Sequence, residues 1–310
     1  MIIQTGMRTD IPAFFSEWFA NRLREGYVYV RNPYNPVSIT KYRLDPSVVD
    51  MIGFCTKNPE PMMKYMGLLK PYGQYWFVTI TPYGKDIEPN VPSVPSVISS
   101  FQELSSVVGI NSIGWRYDPI LIDSDWSVER HIDAFSSMCA QLAGYTHTAV
   151  ISFIDLYEKV KRNFPEARTV PMSTQLQLTK AFVDIAAAHD IVIKPCGESP
   201  ALSSIGADCS GCMTIKTFES AIGQNLDCPP NPNNRSECAC YLTGDIGAYN
   251  TCGHFCRYCY ANADRDLVKR NMRLHDPASP LLVGHIEPCD TIHEAKQVSW
   301  IDHQMRLELS

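Results

Sequence analysis

Apolar positions in the first two-thirds of the chain follow two alternating rhythms. Short runs rich in β-branched and aromatic residues, at 1–5, 27–30, 48–55, 75–81, 112–116, 148–153 and 191–194, read as strands. Between most of them lie stretches whose apolar residues repeat at helical spacing. In the first such stretch Ile11, Phe14, Phe15, Trp18 and Leu23 form one face. Thr9 or Asp10 offers its cap, Pro12 suits its first turn, and Gly26 its end. Further helices are expected at 59–69, 97–108 and 174–188. Another follows Asp125 or Ser127, with Ile132, Phe135, Met138 and Leu142 on one face and Gly144 at its end. About seven strands alternating with helices is the pattern of parallel βαβ units, whose right-handed crossovers wind into a barrel or a doubly wound sheet. No Gly-rich dinucleotide fingerprint follows the first strand. The reading is therefore an α/β fold, a (β/α) TIM-barrel-like domain over residues 1–198.

The ends of these strands are polar. Arg8 and Asp10, Arg31 and Asn32, Thr56 with Lys57 and Asn58, Thr81, Arg116 and Asp118, Asp155, then Lys194 and Glu198 follow successive strands. In a barrel such positions converge on the C-terminal face, where active sites lie. Asp10 and Asp155 suit helix capping equally well. Arg116 and Asp118 in Trp115-Arg116-Tyr117-Asp118-Pro119 fit either a structural ion pair or a substrate contact. With Lys57 they are the candidates for catalysis.

After Cys196 the rhythm stops. The chain has 12 cysteines, and only Cys55 and Cys139 precede Cys196. The segment 227–234 is too rich in Pro and Asn for a regular element. Residues 199–310 are thus expected to form an irregular cysteine-rich segment that completes the barrel mouth. A local cysteine cluster in a large chain points to metal or redox chemistry rather than a disulfide scaffold. Its central word is Cys252-Gly253-His254-Phe255-Cys256-Arg257-Tyr258-Cys259, a C-x3-C-x2-C spacing. Three thiolates on one loop can each bind a different iron of a 4Fe–4S cluster. The fourth iron would stay open to the amino and carboxylate groups of S-adenosylmethionine, and one electron passed into the sulfonium breaks a C–S bond. Zinc is the competing occupant, with Cys209-x2-Cys212, Cys256-x2-Cys259 and His254 as ligands. Cys196, Cys212, Cys238 and Cys240 could together hold a second Fe–S cluster or a structural zinc, with Cys209 and Cys228 as substitutes. Cys55 and Cys139 read as small buried hydrophobes.

The triad, with Tyr258 before its third cysteine, resembles the signature of the radical S-adenosylmethionine superfamily. More closely, the chain is similar to an uncharacterised bacterial family carrying that triad near its C-terminus. The similarity runs through Arg8-Thr9-Asp10-Ile11-Pro12, Thr56-Lys57-Asn58-Pro59, Trp115 to Ile120, Cys238-Ala239-Cys240, Asp245 to Tyr249 and Cys252 to Asn262. The resemblance implies a radical enzyme acting on a polar small-molecule substrate, with a reductant such as flavodoxin or ferredoxin. It assigns Cys252, Cys256 and Cys259 to the cluster, and Tyr258, Asn262, Arg8 and Lys194 to the cofactor. The triad lies far from the first strand, and no Gly-Gly-Glu word follows it, so which C–S bond breaks stays open. Two other classes stay open beside this one: a zinc-stabilised binding module and a plain electron-transfer Fe–S protein.

Charge and hydropathy narrow the partners. The net charge of −6 argues against a general nucleic-acid coat. No apolar run approaches the roughly 18 residues of a membrane span, and no signal peptide is evident. A cytoplasmic location is expected.

Overall fold

The computed structural model describes residues 1–230, 240–241 and 244–302. Along the chain, β1 (Ile2–Gln4) leads to α1 (Ile11–Phe14) and α2 (Ser16–Glu25), then to β2 (Tyr27–Arg31), β3 (Ser38–Arg43) and β4 (Met51–Thr56). Next come α3 (Glu60–Met63), α4 (Met66–Leu69), β5 (Gly73–Thr79), α5 (Val94–Val108), β6 (Ile113–Ile120) and α6 (Val128–Leu142). The chain continues through β7 (Thr148–Phe153), α7 (Glu158–Asn163), α8 (Met172–Ala187), β8 (Val192–Pro195) and α9 (Ile215–Ile222). It closes with β9 (Gly244–Asp245), α10 (Arg265–Arg273) and β10 (Thr291–Glu294).

Seven strands form one all-parallel sheet in the order β8-β7-β6-β5-β4-β1-β9. From β1 to β8 every strand lies beside its predecessor in that sheet, and the order never reverses, as in an unrolled β/α barrel. Its two edges are β8 and β9, and among the described residues no ladder joins them. A small second sheet, β10-β3-β2, flanks it.

The alternation of each strand divides the core. Ile3, Ile52, Phe54, Trp76, Trp115, Tyr117 and Ile151 face a cluster that includes Trp18 of α2, Phe101 of α5, Phe135 of α6 and Phe182 of α8. Ile2, Met51, Tyr75, Phe77 and Val150 face the other way, onto Cys212, Met213, Phe218, Leu226, Cys240 and Tyr241. Successive strand residues point to opposite faces. Helices therefore cover one face, while the cysteine-rich chain after β8 fills the other. Aromatic stacking tightens the helix side: Phe54 lies 3.8 Å from Trp76, and Phe135 4.0 Å from Phe182.

Local chemistry places most boundaries where the pattern predicts them. Asp10 caps α1, Ser127 caps α6, and Gly26 ends α2 at φ 77°. Three elements differ. The helix expected from Asp10 to Gly26 breaks at Phe15, where the backbone leaves helical space at φ −131°. The helix expected at 59–69 is two single turns, joined by tight bonds such as Met62 N–H to Pro59 O at 3.0 Å and Tyr65 N–H to Met62 O at 2.9 Å. The strand at Tyr27 does not enter the parallel sheet, because it pairs antiparallel with β3. Arg31 and Asn32 thus leave the row of strand ends, and Arg31 forms an ion pair with Asp290 instead. The seventh parallel strand is β9, two residues long and beside β1. No helix among the described residues is long and apolar enough to cross a membrane.

The Phe135 ring is fully buried between Phe182 and Trp115. Phe135→Ala should lower stability by about 3–5 kcal/mol through lost burial and a residual cavity. A urea titration should show an earlier midpoint with an unchanged slope.

Candidate functional site

The triad loop begins just after β9. Its base is closed by Asn250, whose side-chain oxygen accepts the Ala263 N–H at 2.5 Å and whose carbonyl accepts from Asn271 at 3.0 Å. Asn250 adopts φ 59° and Phe255 φ 57°, left-handed conformations at which the loop reverses. Gly253 is required by space: a Cβ there would lie 2.8 Å from the Phe14 ring. Asn262 donates to the Cys252 carbonyl at 2.9 Å, and Asn90 donates to the Gly253 carbonyl at 2.7 Å. The Asn90 backbone N–H also reaches the His254 carbonyl at 3.1 Å.

His254 is buried inside the loop, its ring edge-on to Phe14 at 4.6 Å and its Nε2 2.9 Å from Asp10 Oδ2. The same carboxylate accepts the Lys57 backbone N–H at 2.8 Å and caps α1 through Ala13 N–H at 3.0 Å. Asp10 therefore both caps a helix and anchors the cysteine loop to the end of β4.

A second polar knot adjoins the first. Glu88 accepts from Lys57 Nζ at 2.9 Å, from Thr81 at 2.6 Å and from the Tyr258 hydroxyl. Lys57 Nζ lies 5.6 Å from the centre of the Tyr258 ring. Burial works against the Lys57 ammonium, but Glu88 and then Cys256 outweigh it and keep the proton on. Glu88 had no place among the sequence candidates. Its one signal is position, in the long connection after β5 at the strand end where active-site loops gather.

Cys252, Cys256 and Cys259 are half-buried residues whose sulfurs act on one another electrostatically. Burial pushes all three thiols up, and it is the leading influence on each. Lys57 opposes it at Cys256. At Cys259 the backbone N–H groups of Asn262 and Ala261 oppose it first, then Lys159 and Lys57. A bound metal would displace these protons.

The other sequence candidates separate. Arg8 turns to Asp245, with Nη1 3.5 Å from its carbonyl and Nε 3.9 Å from its carboxylate, and its guanidinium lies over Tyr249 at 5.7 Å. Arg116 grips Asp118 through two bonds of 3.1 and 2.5 Å and points Nη1 at Cys212 Sγ, 4.0 Å away. Ser152 donates to Asp118 at 3.4 Å. Lys194 bonds Asp208 at 2.6 Å and the Gly211 carbonyl at 3.3 Å. It lines a cavity of about 930 Å³ with Tyr75, Ile113, Thr148, Asp208 and Tyr241. That volume suits a small-molecule ligand, yet none of the triad lines it. A smaller concavity of about 170 Å³ includes Thr79, Thr81 and Glu88 beside the knot.

A second thiol group forms deeper in the sheet. The sulfurs of Cys196, Cys212 and Cys240 all lie within 4.8 Å of one another, and the three could hold a metal ion or Fe–S cluster. Cys212 and Cys240 are buried, with their sulfurs 3.2 Å apart. Hydrogen bonds from Cys212 and Cys240, with Arg116 nearby, hold the Cys196 thiol well below its usual range. Of the residues grouped with them by sequence, Cys209 and Cys228 stand outside the group. Cys238 lies outside the described residues.

The family profile of the domain of unknown function DUF1848 matches residues 2–261. The chain belongs to the DUF1848 family. No curated protein and no solved structure matches it. The DUF1848 match takes in the whole parallel sheet and both thiol groups.

Asp245 is buried, and burial pushes its carboxyl up to about 6 against bonds from Met7 and Gly247 N–H and the charge of Arg8. A raised carboxyl stabilises the folded state below its unfolded value and loses that contribution as pH rises through the folded value. Between about pH 3 and 7, wild type should lose about 3 kcal/mol relative to Asp245→Asn. Urea midpoints of the two proteins measured across that range give the difference directly.

Proposed function

We propose that this chain is a radical S-adenosylmethionine enzyme, with a 4Fe–4S cluster on Cys252, Cys256 and Cys259. The observation that carries the reading is a single loop bearing Cys252, Cys256 and Cys259, whose thiols interact electrostatically and which Asp10, Asn90 and Asn262 pin in place. The donor set fits the group: three thiolates on a short loop suit a cubane with one iron left open. When bound, the cluster would supply the electron that cleaves the sulfonium of S-adenosylmethionine.

The chain's own residues would do the rest. The three cysteines are half-buried, and Lys57 with Lys159 would offset the negative charge of bound thiolates. Tyr258 is fixed by Glu88 and presents its ring beside the loop. Asn262 has its side-chain oxygen buried without a partner while its amide holds Cys252. That oxygen is free to accept from a cofactor amino group. Lys57, Arg116 and Asp118 at the strand ends would meet a polar substrate, and a cytoplasmic flavodoxin- or ferredoxin-like protein would supply the electron.

Anaerobic reconstitution with iron and sulfide, then EPR of the dithionite-reduced protein with and without S-adenosylmethionine, tests the reading. A reduced-cluster signal that shifts on adding the cofactor is the expected result. The triple variant C252A/C256A/C259A should lose both that signal and formation of cofactor cleavage products. Cleavage that survives in the triple variant would sink the assignment, as would a wild-type cluster indifferent to the cofactor.

A further inference from the structure

We infer that Cys196, Cys212 and Cys240 form a site for a single thiophilic divalent ion of the zinc class, which clasps the open edge of the parallel sheet. This inference is independent of the chemistry proposed for the triad.

The position of the three cysteines carries the first part. Cys196 follows β8 directly, and its N–H bonds the Ile151 carbonyl at 2.9 Å, so it extends the ladder between β7 and β8. Cys240 precedes β9 on the opposite edge of the sheet, and Cys212 belongs to the connection between them. Among the described residues no ladder joins β8 to β9. The three sulfurs are therefore gathered from the β8 edge, the approach to β9 and the chain that packs on the inner face. An ion held by all three would reinforce a junction that the backbone makes only through single bonds, such as Asp208 N–H to the Ile193 carbonyl at 2.8 Å and Tyr241 N–H to the Met213 carbonyl at 2.7 Å.

Spacing decides the nuclearity. Metal–sulfur bonds of about 2.3 Å at tetrahedral angles put two thiolates on one ion about 3.8 Å apart. Thiolates on a cubane each bond a separate iron and stand farther apart. All three sulfurs lie within 4.8 Å of one another, which suits one shared ion. The 3.2 Å between Cys212 and Cys240 is well beyond a disulfide bond of about 2.05 Å.

Donor chemistry and charge agree. Thiolates select soft or borderline ions over magnesium and calcium. Three thiolates on a divalent ion leave one net negative charge inside the protein, and the Arg116 guanidinium points at Cys212 from 4.0 Å. Asp118 fixes that guanidinium with two bonds. Cys212 and Cys240 are nearly inaccessible, so the site is screened from bulk thiols and chelators.

The test uses full-length C252A/C256A/C259A, in which the triad can hold nothing, purified without added iron. Elemental analysis should find about one equivalent of zinc, and cobalt exchanged into the site should give thiolate-to-metal charge-transfer absorption. Adding Cys212→Ser and Cys240→Ser should abolish both. Because that variant could unfold, Cys196→His in the same background provides a second arm: it should keep the ion while shifting the cobalt spectrum. A metal-free triad variant would overturn the inference. So would zinc that survives the Cys212 and Cys240 replacements, an unshifted spectrum in Cys196→His, or an intact-mass deficit mapped to a Cys212–Cys240 disulfide.

Discussion

One carboxylate, that of Asp10, holds together parts of the chain that are far apart in sequence. Its two oxygens bind the first turn of α1, the backbone at the tip of β4 and the ring of His254. A buried charge without such partners would be costly, and hydrogen bonds to charged groups contribute about 1.5–3 kcal/mol each. The cysteine loop is thereby fixed to the strand ends rather than left as a surface excursion. Asn90 and Glu88, both in the connection after β5, hold the same loop from the other side. The triad's geometry therefore depends on β1, β4 and β5 being adjacent through β4, which the parallel ladder ensures.

The two faces of the sheet impose the other main constraint. Helices satisfy the face carrying Trp76, Trp115 and Tyr117. The opposite face is equally apolar near the start of the strands, through Ile2, Met51, Tyr75 and Phe77, and needs its own cover. Phe218 of α9 and Tyr241 supply it, with Phe218 edge-on to Tyr75 at 6.2 Å. Toward the strand ends this inner face becomes polar, with Lys57, Arg116 and Asp118. The change from apolar cover to charged strand ends thus runs along a single face of the sheet.

How much of this was legible in the sequence follows from the range of each signal. Caps such as Ser127 and stops such as Gly26 act within a few residues and could be read directly. The strands with strong alternation were equally plain. Strand partners are a different matter: Tyr27–Arg31 has a strand's composition, but its place is set by β3, a non-local antiparallel neighbour. Gly244–Asp245 is too short for any period to register, yet it completes the parallel sheet. Glu88 carried no motif, because its role comes from meeting Lys57, Thr81 and Tyr258 in space. Sequence reading grouped Cys196, Cys212, Cys238 and Cys240, with Cys209 and Cys228 as substitutes. Among the described residues folding brings the sulfurs of Cys196, Cys212 and Cys240 to one point and leaves Cys209 and Cys228 outside it.

Each thiol group is matched with a cation suited to its surroundings. Beside the triad stands Lys57, a compact ammonium held by Glu88 and Thr81 and able to face Cys256 without fixed planar geometry. Beside the deeper group stands Arg116, whose permanent charge and rigid fork let Asp118 lock one edge while another nitrogen faces Cys212. Cys55 and Tyr260 occupy the space between. Burial pushes the Cys55 thiol up to about 12, so it stays neutral, while Arg116 and Asp118 act on it in opposite senses. Tyr260 is 47% exposed, and its hydroxyl donates to the Met7 carbonyl at 2.6 Å. Burial pushes that hydroxyl up, and Cys55 and Cys259 on either side add to the shift. Two thiolate-rich centres in one protein would repel each other through a low-dielectric interior if either were uncompensated. A cation stands beside each group, Lys57 already paired with Glu88 and Arg116 with Asp118, and would temper that repulsion if both groups bound metal.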